Sequence, residues 1–321
     1  MKSADNSFDK HRHAEADALL GVAPEPQITV TRALEEYWSI AADRRRGKSD
    51  DQRRRWENPR KKAVANFVKA IGNLPLSEIG PQQLRDFRSW WVKKVEDDDL
   101  TPNSATKDFT HLKDILASVT EAMQLGFELP LRSLRMLKDD EARTRPPFSV
   151  AWIRDRIMAP GALDGLNLEA RTILLGMVNT GCRPSELQNL TRAQIRLEDA
   201  VPHLSIEGVD RTLKSRNAKR RIPLVGISLA AFSQCPDGFP RYKDKPGLSA
   251  TINKYLRENS LCETEAHTLY CLRHSFEDRM IAAKVDPRIR ADLFGHALDR
   301  ERYGAGASLE QTREILQALA L

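Results

Sequence analysis

Between Lys138 and Pro147 the chain reads KDDEARTRPP, and no hydrophobic periodicity crosses it. A charged run ending in two prolines cannot carry an amphipathic helix or strand through, so the chain must fold as two units, one on either side. Its 321 residues agree with that division, since one domain accounts for about 150. The expected organisation is a tail at 1–25, a helical domain at 26–135, a linker at 136–147 and a larger domain at 148–321.

In the first unit, apolar residues recur at helical spacing. Val30, Leu34, Tyr37, Trp38 and Ala41 share one face, and Leu84, Phe87, Trp91 and Val95 repeat the pattern after Pro81. Thr101-Pro102 predicts the start of another helix, with Thr101 as its cap. Its stripe of Ala105, Phe109, Leu112, Leu116, Val119 and Met123 is expected to stop at Gly126. The aromatics are either core or base-stacking platforms, and their helical period favours core. In the second unit, Leu168 to Val178 predicts a buried helix. Alternation of Leu204, Ile206, Ile222 and Leu224 predicts strands at 203–207 and 211–224. Beyond Pro246 the pattern is helical again, and Ser308 with Gln311 forms a capping box for a last helix. The expected fold class is therefore mainly α with a small β-sheet (α+β).

Composition excludes several classes. Apolar residues make up 40%, too many for a solvating disordered chain. No run approaches the roughly 18 apolar residues that span a bilayer, and the first twenty residues lack an apolar signal core. A cytoplasmic location follows as the expectation. Cys182, Cys235, Cys262 and Cys271 are too dispersed for a metal knuckle, so four reduced thiols are expected. The histidines show no HxxxH pairing, and neither a structural metal nor a cofactor is expected.

The net charge of +6 is unevenly placed. Residues 41–65 hold ten bases, Arg44, Arg45, Arg46 and Arg54 among them, against four acids. Residues 211–221 hold six bases, including Lys214, Arg216, Lys219 and Arg220, and no acid. One such patch reads as a solvated face. Two, in separate units, leave a polyanion partner and a solvated surface equally open.

Three strings carry the chemistry. The first is Thr180-Gly181-Cys182-Arg183-Pro184-Ser185-Glu186-Leu187. Gly181 ends one helix and Pro184 begins the next, which sets Arg183 in a turn at a helix start. There it can clamp a phosphate, or it can pair with Glu186. The second is Tyr270-Cys271-Leu272-Arg273-His274, and the third is Leu293-Phe294-Gly295-His296 followed by Tyr303-Gly304.

Taken in order at these spacings, the strings resemble the tyrosine recombinase, or phage integrase, family over about 146–317. The resemblance implies the fold of DNA-breaking-rejoining enzymes, preceded by a SAM-like core-binding domain. It implies Tyr303 as the nucleophile that forms a 3′-phosphotyrosyl link and frees a 5′-hydroxyl, so that rejoining needs no ATP. Arg183 and Arg273 would neutralise the non-bridging oxygens. Lys214 would protonate the leaving 5′ oxygen, with Lys219 as the alternative. His296 would donate a hydrogen bond to the phosphate, or else serve as a helix cap. Glu186 would orient Arg183, and His274 would be structural or would support the site from behind. Arg44, Arg45, Arg46, Arg54, Arg216, Lys219 and Arg220 are the expected DNA contacts.

The sequence departs from the family pattern at Tyr270, where a histidine is usual. A phenol can donate to a phosphate oxygen but is a poor base near neutral pH. Tyr303 also follows His296 by a short interval of seven residues. The implied partners are double-stranded DNA and three further copies of the chain in a tetrameric synapse, in which the segment after Tyr303 would pack on a neighbour. Need for an accessory DNA-bending protein stays open. Two other readings remain: a DNA-binding protein of this fold without strand exchange, and a type IB topoisomerase-like relaxing enzyme.

Overall fold

A computed structural model of the chain describes residues 27–138, 145–213, 216–298, 301 and 303–321. The expected tail at 1–25 lies outside them, as does Lys214. The chain packs as two units, Met1–Arg46 with Arg54–Glu141, and Gly47–Arg53 with Ala142–Leu321. The segment Gly47–Arg53, which the sequence reading placed in the helical domain, therefore belongs with the larger unit. Gln52 there donates to the Thr212 carbonyl at 2.7 Å and accepts from its N–H at 3.1 Å.

The first unit is helical: α1 (Val30–Ile40), α2 (Asp50–Ile71, from Arg54 onward), α3 (Pro81–Asp97) and α4 (Pro102–Ala122). The periodic faces are the buried faces. Tyr37, Phe67, Phe87, Trp91 and Phe109 are fully buried, and Phe87 meets Phe67 and Phe109 edge-on at 5.1 and 5.6 Å. These aromatics are core. The stripe of α4 ends earlier than Gly126, with Met123 as the C-cap, because Gln124 already turns to φ 50°.

One polar cluster interrupts this core. The Asp114 carboxylate on α4 accepts from Tyr37 Oη at 2.5 Å, Arg44 Nη1 at 2.9 Å and Arg60 Nη2 at 3.3 Å. Arg60 also lies 4.0 Å from the centroid of the Trp56 ring. Two of the bases in the 41–65 window thus hold the helices together.

The second unit is built on the buried helix α5 (Leu168–Thr180), whose Ile173, Leu174, Met177 and Val178 are fully enclosed. The short α6 (Pro184–Leu187) leads into an antiparallel sheet of β1 (Ile195–Arg196), β2 (His203–Ile206) and β3 (Arg220–Pro223). Leu204 faces Ile195 and Ile222 across it. Among the described residues, the predicted strand at 211–224 is confined to Arg220–Pro223. Residues 211–219 lack an alternating apolar set to bury, and 216–218 form a 3₁₀ turn instead. Then follow α7 (Gly226–Ser233), α8 (Leu248–Glu258), α9 (Cys271–Ala282), α10 (Pro287–Phe294) and α11 (Leu309–Ala318). The chain is mainly α with a small β-sheet, as expected.

The capping box of α11 is present, with Ser308 Oγ accepting from Gln311 N at 3.2 Å and Gln311 Oε1 from Ser308 N at 2.9 Å. The helix docks on its own unit, where Leu316 is fully buried. Arg279 on α9 donates to Leu319 O at 2.8 Å and also binds Val178 O and Asn179 Oδ1 at the end of α5. Leu316 finds its apolar partners within its own chain.

Candidate active site

The site begins where α5 ends. Gly181 caps that helix at φ 57°, a left-handed conformation that a side chain resists. A Cβ there would also come within 2.4 Å of Phe276 Cδ1. Cys182 is buried, and its thiol is pushed up to about 11, by burial above all. Arg183 caps α6, with Pro184 in the first turn. That helix is a single turn, so its dipole is weak, and the positive charge at this point comes from the guanidinium itself.

Of the two alternatives for Arg183, the pair with Glu186 is present. Its backbone N–H donates to Glu186 Oε2 and its Nη1 to Oε1, each at 2.8 Å. Arg220 approaches the same carboxylate, Nη2 to Oε2 at 2.9 Å and Nη1 to Oε1 at 3.2 Å. Burial would raise the Glu186 carboxyl, but the hydrogen bonds and charges of Arg220 and Arg183 outweigh it and hold it at about 2. One carboxylate thus serves two arginines, and a net positive charge remains.

Arg273 enters from α9 and is 3% exposed. It donates to Gly181 O at 2.5 Å and to Phe294 O at 2.9 Å, the ends of α5 and α10. Its planar group lies 4.3 Å from the centre of the Phe294 ring. Burial first, and then the Arg183 charge, lowers Arg273 to about 10, so it stays protonated at neutral pH. His296, just past the left-handed Gly295, places Nε2 3.1 Å from Arg273 Nη2. Arginine only donates, so that nitrogen accepts and the ring is neutral in this arrangement. Burial, Arg273 and Arg183 all lower its pKa, consistent with that state.

The structure therefore brings together Arg183, Glu186, Arg273 and His296. It does not bring Tyr303 to them. Tyr303 is 76% exposed and its hydroxyl donates to Glu301, which raises its pKa. Arg288 on α10 holds the carbonyls of Tyr303 and Gly304. Tyr270 lies at the start of α9, its ring 5.7 Å from that of His274 and under the Arg145 guanidinium at 4.9 Å. His274 is half-buried.

The expected DNA contacts divide. Lys219 is exposed and, with Asn217 and Arg221, lines a cavity of about 350 Å³. The side chain of Arg216 lies outside the described residues. In the helical unit, Arg46 and Arg54 are exposed. Arg44 pairs with Asp114, and Arg45 donates to Trp38 O at 2.9 Å. Arg220 differs from these: its side chain is 5% exposed and paired with Glu186. Strand parity carried the signal, since Arg220 falls on the same strand face as the buried Ile222. Among the described residues, no group of three or more carboxylate, histidine or cysteine side chains could hold a metal ion, and no helix is long and apolar enough to cross a membrane.

No protein-family profile and no curated protein matches the chain. Solved structures do. The Tn1549 transposon integrase in complex with transposon right-end DNA aligns at a TM-score of 0.60 and 16% identity, over 84% of this chain and 92% of that one. The same integrase with circular-intermediate DNA aligns at 0.58 and 18% identity, over 91% of this chain and 100% of that one. A lambda integrase tetramer bound to a Holliday junction aligns at 0.61 and 16% identity, over 93% of this chain and 86% of that one. The chain has the fold of these tyrosine recombinases.

Proposed function

We propose that the chain is a site-specific DNA recombinase that cuts and rejoins duplex DNA through Tyr303. The observation that carries this reading is the convergence of Arg183, Arg273 and His296, from three separate segments of an integrase fold, with three arginine charges set against the one carboxylate of Glu186. Such a pocket suits a phosphodiester. Arg183 and Arg273 would fork onto its non-bridging oxygens, where charge develops in the transition state. Arg183 is held near this place by Glu186, and Arg273 by the helix-end carbonyls.

In the proposed step the Tyr303 hydroxyl passes its proton to the neutral His296 ring as its oxygen bonds to phosphorus, the bond to the 5′ oxygen breaks, and Lys214 gives that oxygen a proton. The phenol leaves Glu301 and turns inward on a segment that Gly304 and Gly306 render pliable. As Arg273 turns its Nη2 from His296 to the phosphate, the His296 ring is free to take the phenol's proton and, once protonated, to donate to the phosphate. A neutral phenol has a pKa of about 10, so the two arginines must offset the charge it gains. Duplex DNA is the proposed partner, and a tetramer the proposed synapse.

Duplexes drawn from the DNA flanking the coding sequence, nicked beside each candidate cleavage point, test this reading. A covalent adduct that Tyr303→Phe abolishes is the expected result. Binding without adduct would favour the non-cleaving alternative, which Tyr270 in the usual histidine place motivates. Relaxation of any supercoiled plasmid, whatever its sequence, would favour the topoisomerase-like one.

A further inference from the structure

Arg220 was expected on the DNA, yet its guanidinium has no donor left to offer. Nε donates to Leu293 O at 2.7 Å. Nη1 is divided between Glu186 Oε1 at 3.2 Å and Ala218 O at 2.8 Å. Nη2 is divided between Glu186 Oε2 at 2.9 Å and Cys182 Sγ at 3.8 Å. All five N–H groups are thereby engaged, and the side chain is 5% exposed. Burial would lower this guanidinium's pKa, but Cys182 and Glu186 raise it above the ordinary value, so the charge is permanent.

Its partners belong to three segments. Glu186 and Cys182 flank Arg183. Leu293 lies in the last turn of α10, two residues before Gly295 and three before His296. Ala218 ends the 3₁₀ turn that follows Lys214 in the chain. A second contact joins the last two segments. A Cβ on Gly295 would fall 3.0 Å from Ala218 Cα and 3.1 Å from both Asn217 O and Arg220 Nη1, so glycine permits the turn to lie against the approach to His296. Charge adds to geometry. A carboxylate paired with Arg183 alone would neutralise it, whereas one divided between two arginines leaves Arg183 with charge for an anion.

We propose that Arg220 is a positioning residue that sets Arg183 and His296 at their working distance and keeps Glu186 from quenching Arg183. This rests on the strand-cleavage reading and extends it to a residue that touches no DNA. The test compares wild type, Arg220→Lys and Arg220→Met on the nicked duplex that gives adduct, measuring single-turnover adduct formation and the salt dependence of DNA affinity. Arg220→Met is expected to slow adduct formation at least tenfold while affinity changes less than about threefold, its logarithmic slope against salt unaltered. Arg220→Lys, which keeps the charge but not the fork, is expected to fall between. Loss of about 0.9 from the slope would make Arg220 a phosphate contact and overturn the proposal. Wild-type rates in both variants would overturn it as well. Should Arg220→Met fail to fold, Arg220→Lys decides by the same two measurements. Wild type that forms no adduct refutes the strand-cleavage reading, whereas adduct at equal rates in all three proteins refutes only the part given to Arg220.

Discussion

Replacing Glu186 by glutamine keeps the shape of the side chain and removes its charge. The carboxyl is held at about 2 against an ordinary 4.5, and the side chain is only 7% exposed. A shift of roughly 2.5 units corresponds to about 3 kcal/mol of folding stability, at about 1.4 kcal/mol per unit. The folded pKa is depressed, so this stabilisation is complete above pH 4.5, the ordinary value, and is lost as pH falls through 2. Near pH 3, about half of it should remain. The assay is denaturant unfolding of wild type and Glu186→Gln from pH 7 down to pH 2.5. The stability gap between the two proteins should hold from pH 7 to about 5 and narrow steadily below that. A gap that stays constant across the acid range would refute the reasoning, because it would mean that the carboxyl titrates alike in the folded and unfolded chains.

Arg183→Ala and Arg273→Ala should each slow adduct formation by about a hundredfold or more, the loss typical of one transition-state donor, in single-turnover measurements on nicked DNA. Asp114→Ala should destabilise the helical unit by about 3 kcal/mol in urea unfolding, since it strands the Arg60 guanidinium, 10% exposed, without its carboxylate. Gly181→Ala and Gly126→Ala both force a side chain into the left-handed region, but only at Gly181 does the new Cβ strike a ring. Thermal unfolding should therefore show Gly126→Ala losing about 1 kcal/mol and Gly181→Ala clearly more. Leu316→Ala should lower stability by about 2–5 kcal/mol even at concentrations where the chain is monomeric, a result that packing on a neighbour would not give.

Local signals in the chain foretold its local structure. Val30, Tyr37 and Ala41 announced a buried helical face, and Gly181 followed by Pro184 announced the turn that sets Arg183. The three strings that converge on the site were also legible, because each is a short stretch whose residue types tie it to one chemistry. Long-range pairing was not. Nothing near Arg44 or Arg60 points to Asp114, 70 and 54 residues away, so arginines that tie the helices together were counted with the other bases of that window. Arg220 sat in a run of six bases where composition hid its strand parity. The apolar side chains of α11 showed that a partner must exist, but periodicity does not say whether that partner lies in the same molecule. Nor does sequence order give the orientation of Tyr303, which turns on a few backbone angles beside Gly304.

The thiol of Cys182 sits one residue from Arg183, fully enclosed and protonated at neutral pH. An alkylating reagent cannot reach it while the turn is closed, and the protonated form would react slowly even when reached. Its labelling therefore records how often the turn breathes open, a clock placed by the fold beside the candidate active site. Any ligand that bridges Arg183 and Arg273 ties the two segments enclosing that thiol and must slow the clock. Occupancy of the site can thus be followed without any chemistry on the ligand itself.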